Sequence, residues 1–263
     1  MHKFVAKLIG FDRVQKVMQN SPDKVGHEFV AEICDEFNIS FNIYSELKYP
    51  VQSTIFFGNH HGGAIDFLAN FSALQEFAPN LKVVVNNQLM SLKPIAAVAI
   101  ATNPPSSSKD NAQTREEIRE HLALGGNLLV FPAGRVAGKV NGEIKDSEWR
   151  KGIFDLFKDY AHAGVPVYVD VDNGMLFYII RRLFPKLSML FLMRCLNRVI
   201  GQKVKVFIGR STPQYMLGNY SSLEIMQFFR NRVYELKNRG VHYEGFINRE
   251  LGRENGRMLA RDF

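Results

Sequence analysis

The stretch Asn59-His60-His61-Gly62-Gly63-Ala64-Ile65-Asp66 brings two imidazoles and a carboxylate within one short length of chain. A histidine held by an aspartate takes a proton from a hydroxyl near neutral pH, because the carboxylate fixes the ring tautomer and stabilises the imidazolium that forms. Five residues separate His60 from Asp66 and four separate His61 from it, so both histidines are candidate bases. Gly62 and Gly63 allow a tight turn and a close approach of substrate to the backbone.

The chain has no Gly-x-Ser-x-Gly nucleophile elbow. The histidine would then activate the hydroxyl of a substrate instead of an enzyme serine. The matching reaction is direct acyl transfer, in which an acceptor hydroxyl attacks a thioester carbonyl and an oxyanion site, not a metal, stabilises the charge.

A second block, Phe131-Pro132-Ala133-Gly134-Arg135, makes a tight turn after an apolar run. Arg135 at a strand end can pair bidentately with phosphate or carboxylate. Lys139, Arg150 and Lys151 follow, with Trp149-Arg150 placed where a loop can fold back. A third run, Val165-Pro166-Val167-Tyr168-Val169-Asp170-Val171-Asp172-Asn173, reads as a strand ending in a polar turn.

The elements that must position these residues alternate. Strands are expected over 54–58, 81–85, 97–101, 127–132, 165–171 and 203–209, with helices between several of them. The clearest helix covers 114–124, with Glu116 and Glu117 in its first turn and Gly125-Gly126 as its stop. Residues 1–20 have helical spacing at Phe4, Leu8, Phe11, Val14 and Met18, with lysines and Arg13 on the other faces. A second helix is expected over 23–37 and a late one over 223–238. The fold class is α/β: a mixed, mostly parallel sheet flanked by helices, with an amphipathic N-terminal helical cap. We divide the chain into a cap over 1–50, a core over 51–215, and a C-terminal helix and tail over 216–263, all one domain. The residues from 249 onward are polar and expected to be a disordered tail.

In this order and spacing the blocks resemble the lysophospholipid acyltransferase superfamily, and within it the hemolysin-like branch. The superfamily carries His-x4-Asp, then Phe-Pro-Glu-Gly-Thr-Arg, then Val-Pro-Val. The branch shows Asn-His-Pro-x-Gly-x-x-Asp and Gly-Gly-x-Leu-x-x-Phe-Pro-Ala-Gly-Glu. This chain offers Asn59-His60 with Gly63 and Asp66, then Gly125-Gly126-Asn127-Leu128-Leu129-Val130-Phe131-Pro132-Ala133-Gly134, along with Asn86, Trp149-Arg150 and a late Val206-Phe207-Ile208-Gly209. The match runs from about residue 5 to 215.

The resemblance implies an acyltransferase-like sheet with a hydrophobic tunnel, an acyl-carrier-protein or coenzyme A thioester as co-substrate, no bound cofactor, and a lyso-lipid acceptor. The branch includes enzymes that O-acylate lyso-ornithine or lyso-glycine lipids, beside those acting on lysophosphatidate. The resemblance implies His60 or His61 as general base and Asp66 as its partner. It also implies that Asn59, Gly63, Phe131, Pro132, Gly134, Arg135 and Arg150 hold substrate. The superfamily spacing selects His61, and the branch pattern selects His60. Ala133 stands where the superfamily pattern has glutamate, and Arg135 where the branch pattern has it. The reversed charge at Arg135 points to an anionic head group.

Composition narrows the partners. The 263 residues are 46% hydrophobic and 22% charged, with a formal charge of +7 and a pI near 9.4. An excess of cations calls for an anionic partner. No run of five or more Lys/Arg exists, which argues against a nucleic-acid-binding tail. Two distant cysteines, Cys34 and Cys195, fit a reducing compartment and no disulfide. Neither a signal peptide nor a membrane-spanning segment is expected. Residues 175–200, rich in Phe, Leu and Met with spaced Arg and Lys, read as core helices or as a face for an acyl chain or bilayer. The expected location is cytoplasmic, peripheral on the inner face of the cell membrane. Two other functions fit less well: a non-catalytic lipid-binding protein of the same fold, and a hydrolase using His60, His61 and Asp66 as metal ligands.

Overall fold

The computed structural model describes residues 11–103, 111–183, 195–239, 247–254 and 257–262. Its elements, in order, are α1 (Phe11–Asn20), α2 (Gly26–Glu36), β1 (Ser40–Ser45), β2 (Thr54–Gly58), α3 (Ala64–Leu74), β3 (Leu81–Asn86), α4 (Lys93–Ala96), β4 (Ala99–Thr102), α5 (Ala112–Ala123) and β5 (Asn127–Val130). After them come β6 (Gly138–Val140), β7 (Glu143–Lys145), α6 (Gly152–Tyr160), β8 (Ala163–Asp170), α7 (Met175–Leu183), β9 (Lys203–Ile208), β10 (Thr212–Pro213), α8 (Ser222–Arg239), β11 (Ile247–Glu254) and β12 (Arg257–Asp262).

The main sheet runs β12-β11-β1-β9-β8-β2-β5-β3-β4, and β6-β7 form a separate hairpin. Strands β8, β2, β5, β3 and β4 are mutually parallel. β9 runs antiparallel to β8 and parallel to β1. β2 therefore lies inside a parallel block, buried at all five positions. A parallel strand covered on both faces reads as a continuous apolar run, as Thr-Ile-Phe-Phe-Gly does.

Alternation along the strands sorts side chains into two cores. Phe56, Val165, Val167 and Val169 face the layer of α1, α2 and α3. Ile55, Phe57 and Tyr168 face α5, α6 and α8. In the second core the Phe57 ring lies 4.7 Å from Phe154 and 4.5 Å from Phe229. Burying such rings supplies about 1.5–3 kcal/mol each from apolar area, with a further ~0.5–1.5 kcal/mol per aromatic pair. That packing fixes β2, whose end carries the histidines.

All six expected strands and the three later helices form, with ends shifted by a few residues. Three segments differ from the sequence reading. Residues 40–45, assigned to the helical cap, are the inner strand β1, with Phe41 and Ile43 in one core and Tyr44 in the other. The expected disordered tail instead forms β11 and β12, with Phe41 opposite Leu251. Main-chain pairing to β1 requires no apolar side chains, so polar sequence does not forbid it. The β6-β7 hairpin has too little apolar alternation to register as strand.

The first half of the expected N-terminal amphipathic helix, most of the Pro-Pro-Ser-Ser-Ser loop and residues 184–194 lie outside the described residues. Cys34 and Cys195 are buried thiols, not a disulfide. No helix among the described residues is long and apolar enough to cross a membrane.

Candidate active site

β2 ends at Gly58, and α3 begins at Ala64. The connection sits at the carboxyl ends of the parallel strands β8, β2 and β5, where open α/β sheets form their ligand crevice. Gly63 turns the chain with φ +67°, a conformation that favours glycine. Gly62 is packed so closely that a Cβ there would lie 2.6 Å from Val171 Cγ1 and 2.9 Å from Asp66 Oδ1.

Asp66 occupies the first turn of α3 and is wholly buried. Its carboxylate accepts hydrogen bonds from the Gly62 N–H at 2.9 and 3.0 Å and from the Gly63 N–H at 2.9 Å. It caps the helix and lies at the positive end of the helix dipole. The same oxygen, Oδ2, lies 2.8 Å from His60 Nδ1. A buried carboxylate that already accepts backbone N–H groups makes Nδ1–H the donor, which leaves the His60 Nε2 lone pair open. The His60 side chain is 19% exposed, so the ring is reachable from solvent. Its other support is the Phe131 ring, stacked at 4.6 Å and 18°.

The backbone of His60 is held as well. Its N–H donates to Asp146 Oδ1 at 3.1 Å, and its carbonyl accepts from the Ala137 N–H at 2.6 Å. Asp146 Oδ2 accepts from Trp149 Nε1 at 3.1 Å, and Arg150 N–H donates to the Pro132 carbonyl at 3.1 Å. The Phe-Pro-Ala-Gly turn and the Trp149-Arg150 loop are thereby joined around one histidine.

His61 points the other way. Its side chain is 1% exposed, with Nε2 3.8 Å from Asp146 Oδ1 and 3.4 Å from Tyr234 Oη on α8. Burial holds its pKa below the usual histidine value, outweighing the carboxylates of Asp146 and Asp66. Four-residue spacing places His61 on the core side of the turn, and the ring that meets Asp66 is that of His60. Asn59 is likewise turned inward. It is wholly buried, and its amide brackets Val169, donating to the carbonyl at 2.9 Å and accepting from the N–H at 2.8 Å. Both ends of the side chain are committed to β8, so it holds the strands together.

Gly63, Phe131, Pro132 and Gly134 sit in the two turns beside His60. Arg135 is exposed and donates from Nε to Ser147 Oγ at 3.0 Å. The Arg150 guanidinium lies over Gly134, where a Cβ would be 3.0 Å from its Cζ. Asn86 caps the short helical turn after β3, accepting from the Gln88 N–H.

Asp146, Tyr234 and Asn173 were not singled out from sequence. Asn173 donates to the His61 carbonyl at 2.6 Å. Asp146 had a signal, lying three residues before Trp149 in a segment already marked. Tyr234 had none, since its hydroxyl is one polar atom on a buried helix face. Among the described residues, no three His, Cys, Asp or Glu side chains are placed to hold a metal ion.

The chain is 24% identical over 246 residues to the lyso-glycine lipid O-acyltransferase of Phocaeicola vulgatus, covering 89% of this chain and 86% of that protein. It is 24% identical over 178 residues to the protein of that name from Bacteroides thetaiotaomicron, covering 66% of this chain and 64% of that protein. The crystal structure of the 1-acyl-sn-glycerophosphate acyltransferase PlsC from Thermotoga maritima superposes with a TM-score of 0.51 at 12% identity, covering 92% of this chain and 90% of that one, which establishes a common fold. The family described as Acyltransferase matches residues 7–241; the chain belongs to this family, within the lysophospholipid acyltransferase superfamily, and is an acyl-transferring enzyme.

Proposed function

We propose that the protein moves a fatty acyl group from an acyl-carrier-protein or coenzyme A thioester to the hydroxyl of a lyso-lipid, at the inner face of the cell membrane. The observation that carries this reading is the 2.8 Å contact between His60 Nδ1 and buried Asp66, with Nε2 left open. His60 Nε2 takes the hydroxyl proton as that oxygen attacks the thioester carbonyl. The tetrahedral intermediate collapses with cleavage of the carbon–sulfur bond, and the imidazolium returns the proton to the departing thiolate. Asp66 holds the ring and stabilises its charged form.

The acceptor is a lyso-aminolipid, with lysophosphatidate second. The relatives named for a lyso-glycine lipid support this order, and the cationic Arg135-Arg150 edge of the site suits the anionic head of either acceptor. A bilayer-facing surface is supported by α7, which exposes Met175, Leu176, Ile179 and Leu183. At about 100° per residue these span about 100° of the helix face, beside Arg182.

The test is transfer of a radiolabelled acyl chain from either thioester to lyso-glycine lipid, lyso-ornithine lipid and lysophosphatidate, run beside His60→Ala and His61→Ala. Labelled product from the wild type and from His61→Ala, lost with His60→Ala, supports the reading. Product that survives His60→Ala removes the proposed base.

A further inference from the structure

Three guanidiniums border the loop that wraps His60, contributed by separate segments. Arg135 and Arg150 flank the Phe-Pro-Ala-Gly turn. The third, Arg181, comes from α7, whose register sets its side chain against the hairpin strand β6. A Cβ on Gly138 would lie 2.5 Å from Arg181 Nη1, just as a Cβ on Gly134 would crowd Arg150. Two glycines four residues apart thus leave room for two arginine heads, and the Arg135 backbone runs between them. This loop is also the one that wraps the base: Phe131 stacks on His60, and the Ala137 N–H bonds the His60 carbonyl. Lys139 adds a fourth cation, with Nζ 5.9 Å above the Tyr178 ring on α7.

These charges have little to neutralise them. Among the described residues none of Arg135, Arg150 and Arg181 makes an ion pair with a carboxylate. Asp146, the acid that acts on Arg181, is committed to the His60 N–H and Trp149. Partial burial first, and then the charge of Arg135, hold both Arg150 and Arg181 below the ordinary arginine value. Like charges gathered without a counterion are unfavourable until an anion joins them, and a planar guanidinium fork matches the oxygens of a carboxylate or phosphate.

We propose that Arg181, with Arg135 and Arg150, forms a three-guanidinium site for the anionic head group of the acceptor lipid, and that Arg181 sets the requirement for a charged head. This rests on the acyl-acceptor reading above. The shared chemistry is an oxyanion head, either the carboxylate of an amino acid linked through its nitrogen or a phosphate monoester.

Calorimetric titration tests the site without turnover. N-Decanoylglycine and its neutral carboxamide are titrated into the wild type, Arg181→Ala, Arg181→Lys and Gly138→Ala. The wild type should favour the carboxylate over the carboxamide. Arg181→Ala should weaken carboxylate binding about 10-fold, the loss expected for one charge-assisted hydrogen-bonded pair, and leave the carboxamide unchanged. Arg181→Lys should recover part of the loss, and Gly138→Ala should copy it by displacing the guanidinium. In steady state, Arg181→Ala should raise the acceptor KM with kcat within about twofold and the donor KM unchanged. Decyl phosphate in the same titration separates the two sources of oxyanion: preference for it over N-decanoylglycine assigns the head as phosphate. Equal loss for carboxylate and carboxamide, or a rise confined to the donor KM, overturns the proposal. Carboxylate-selective binding by a protein that transfers acyl groups to no lyso-lipid would remove the acceptor reading and keep the anion site.

Discussion

At the scale of single residues, the two adjacent histidines differ in surroundings: His60 meets Asp66 with its ring reachable from solvent, and His61 is enclosed beside Asp146 and Tyr234. His60→Ala should lower kcat about 100- to 10,000-fold, the usual worth of a general base, with an unchanged circular-dichroism spectrum. His61→Ala should do the reverse, costing about 1–3 kcal/mol of unfolding free energy by leaving Asp146 and Tyr234 short of a buried partner, while kcat per folded molecule stays near wild type. Urea titration beside turnover measurement checks both. Asp66→Asn keeps an oxygen to accept the Gly62 and Gly63 N–H groups but loses the charge that fixes the His60 tautomer. It should therefore cost kcat by at least 100-fold, the lower end of the general-base contribution, with a smaller loss of stability than Asp66→Ala. The sequence displayed the histidines and the aspartate but not which pair meets. Both spacings fit a turn of this length, and the glycine conformation at Gly63 and the side-chain bonds of Asn59 to Val169 decide it.

At the scale of elements, the active geometry depends on how α8 seats β8 and β2. Gly164 on β8 has the Phe229 ring so close that a Cβ would overlap it. Gly164→Ala should cost about 1–3 kcal/mol through overpacking, and Phe229→Ala about 3–5 kcal/mol through the cavity left beside Phe57, Phe154 and Phe157. Chemical denaturation of the two variants would measure these losses. The strands that carry the site were legible because buried parallel strands are unbroken apolar runs: Thr-Ile-Phe-Phe-Gly and Val-Pro-Val-Tyr-Val can hardly be read otherwise. β1 and the β6-β7 hairpin were not. Ser-Phe-Asn-Ile-Tyr-Ser alternates only briefly, and Gly-Lys-Val and Glu-Ile-Lys are held by cross-strand pairing, which local sequence does not record. The same limit hid Asp146 and Arg181, whose roles arise from what the hairpin packs against.

At the scale of the whole molecule, burial sets the response to acid. His27, His61 and His121 all have pKa values lowered chiefly by burial. Each binds a proton less readily folded than unfolded, so the unfolded chain takes up protons first as pH falls through about 6.5. Their contribution to stability is complete above that value and is lost progressively as pH drops toward the folded values. The urea midpoint should be lower at about pH 5.5 than at about pH 7.5, and His61→Gln should reduce the difference. A second whole-molecule consequence follows from the two hydrogen bonds that hold the His60 backbone. One partner, Asp146, lies 86 residues further along the chain, and the other, Ala137, sits just before the hairpin. The sheet pairings of β2 with β8 and of β1 with β9 span still greater stretches of chain, so the seat of His60 and the sheet beneath it are both built from contacts between distant segments, the kind that sets a slow folding rate. A chain that ends before Ala137 holds His60 and Asp66 without either of the two bonds that fix the His60 backbone.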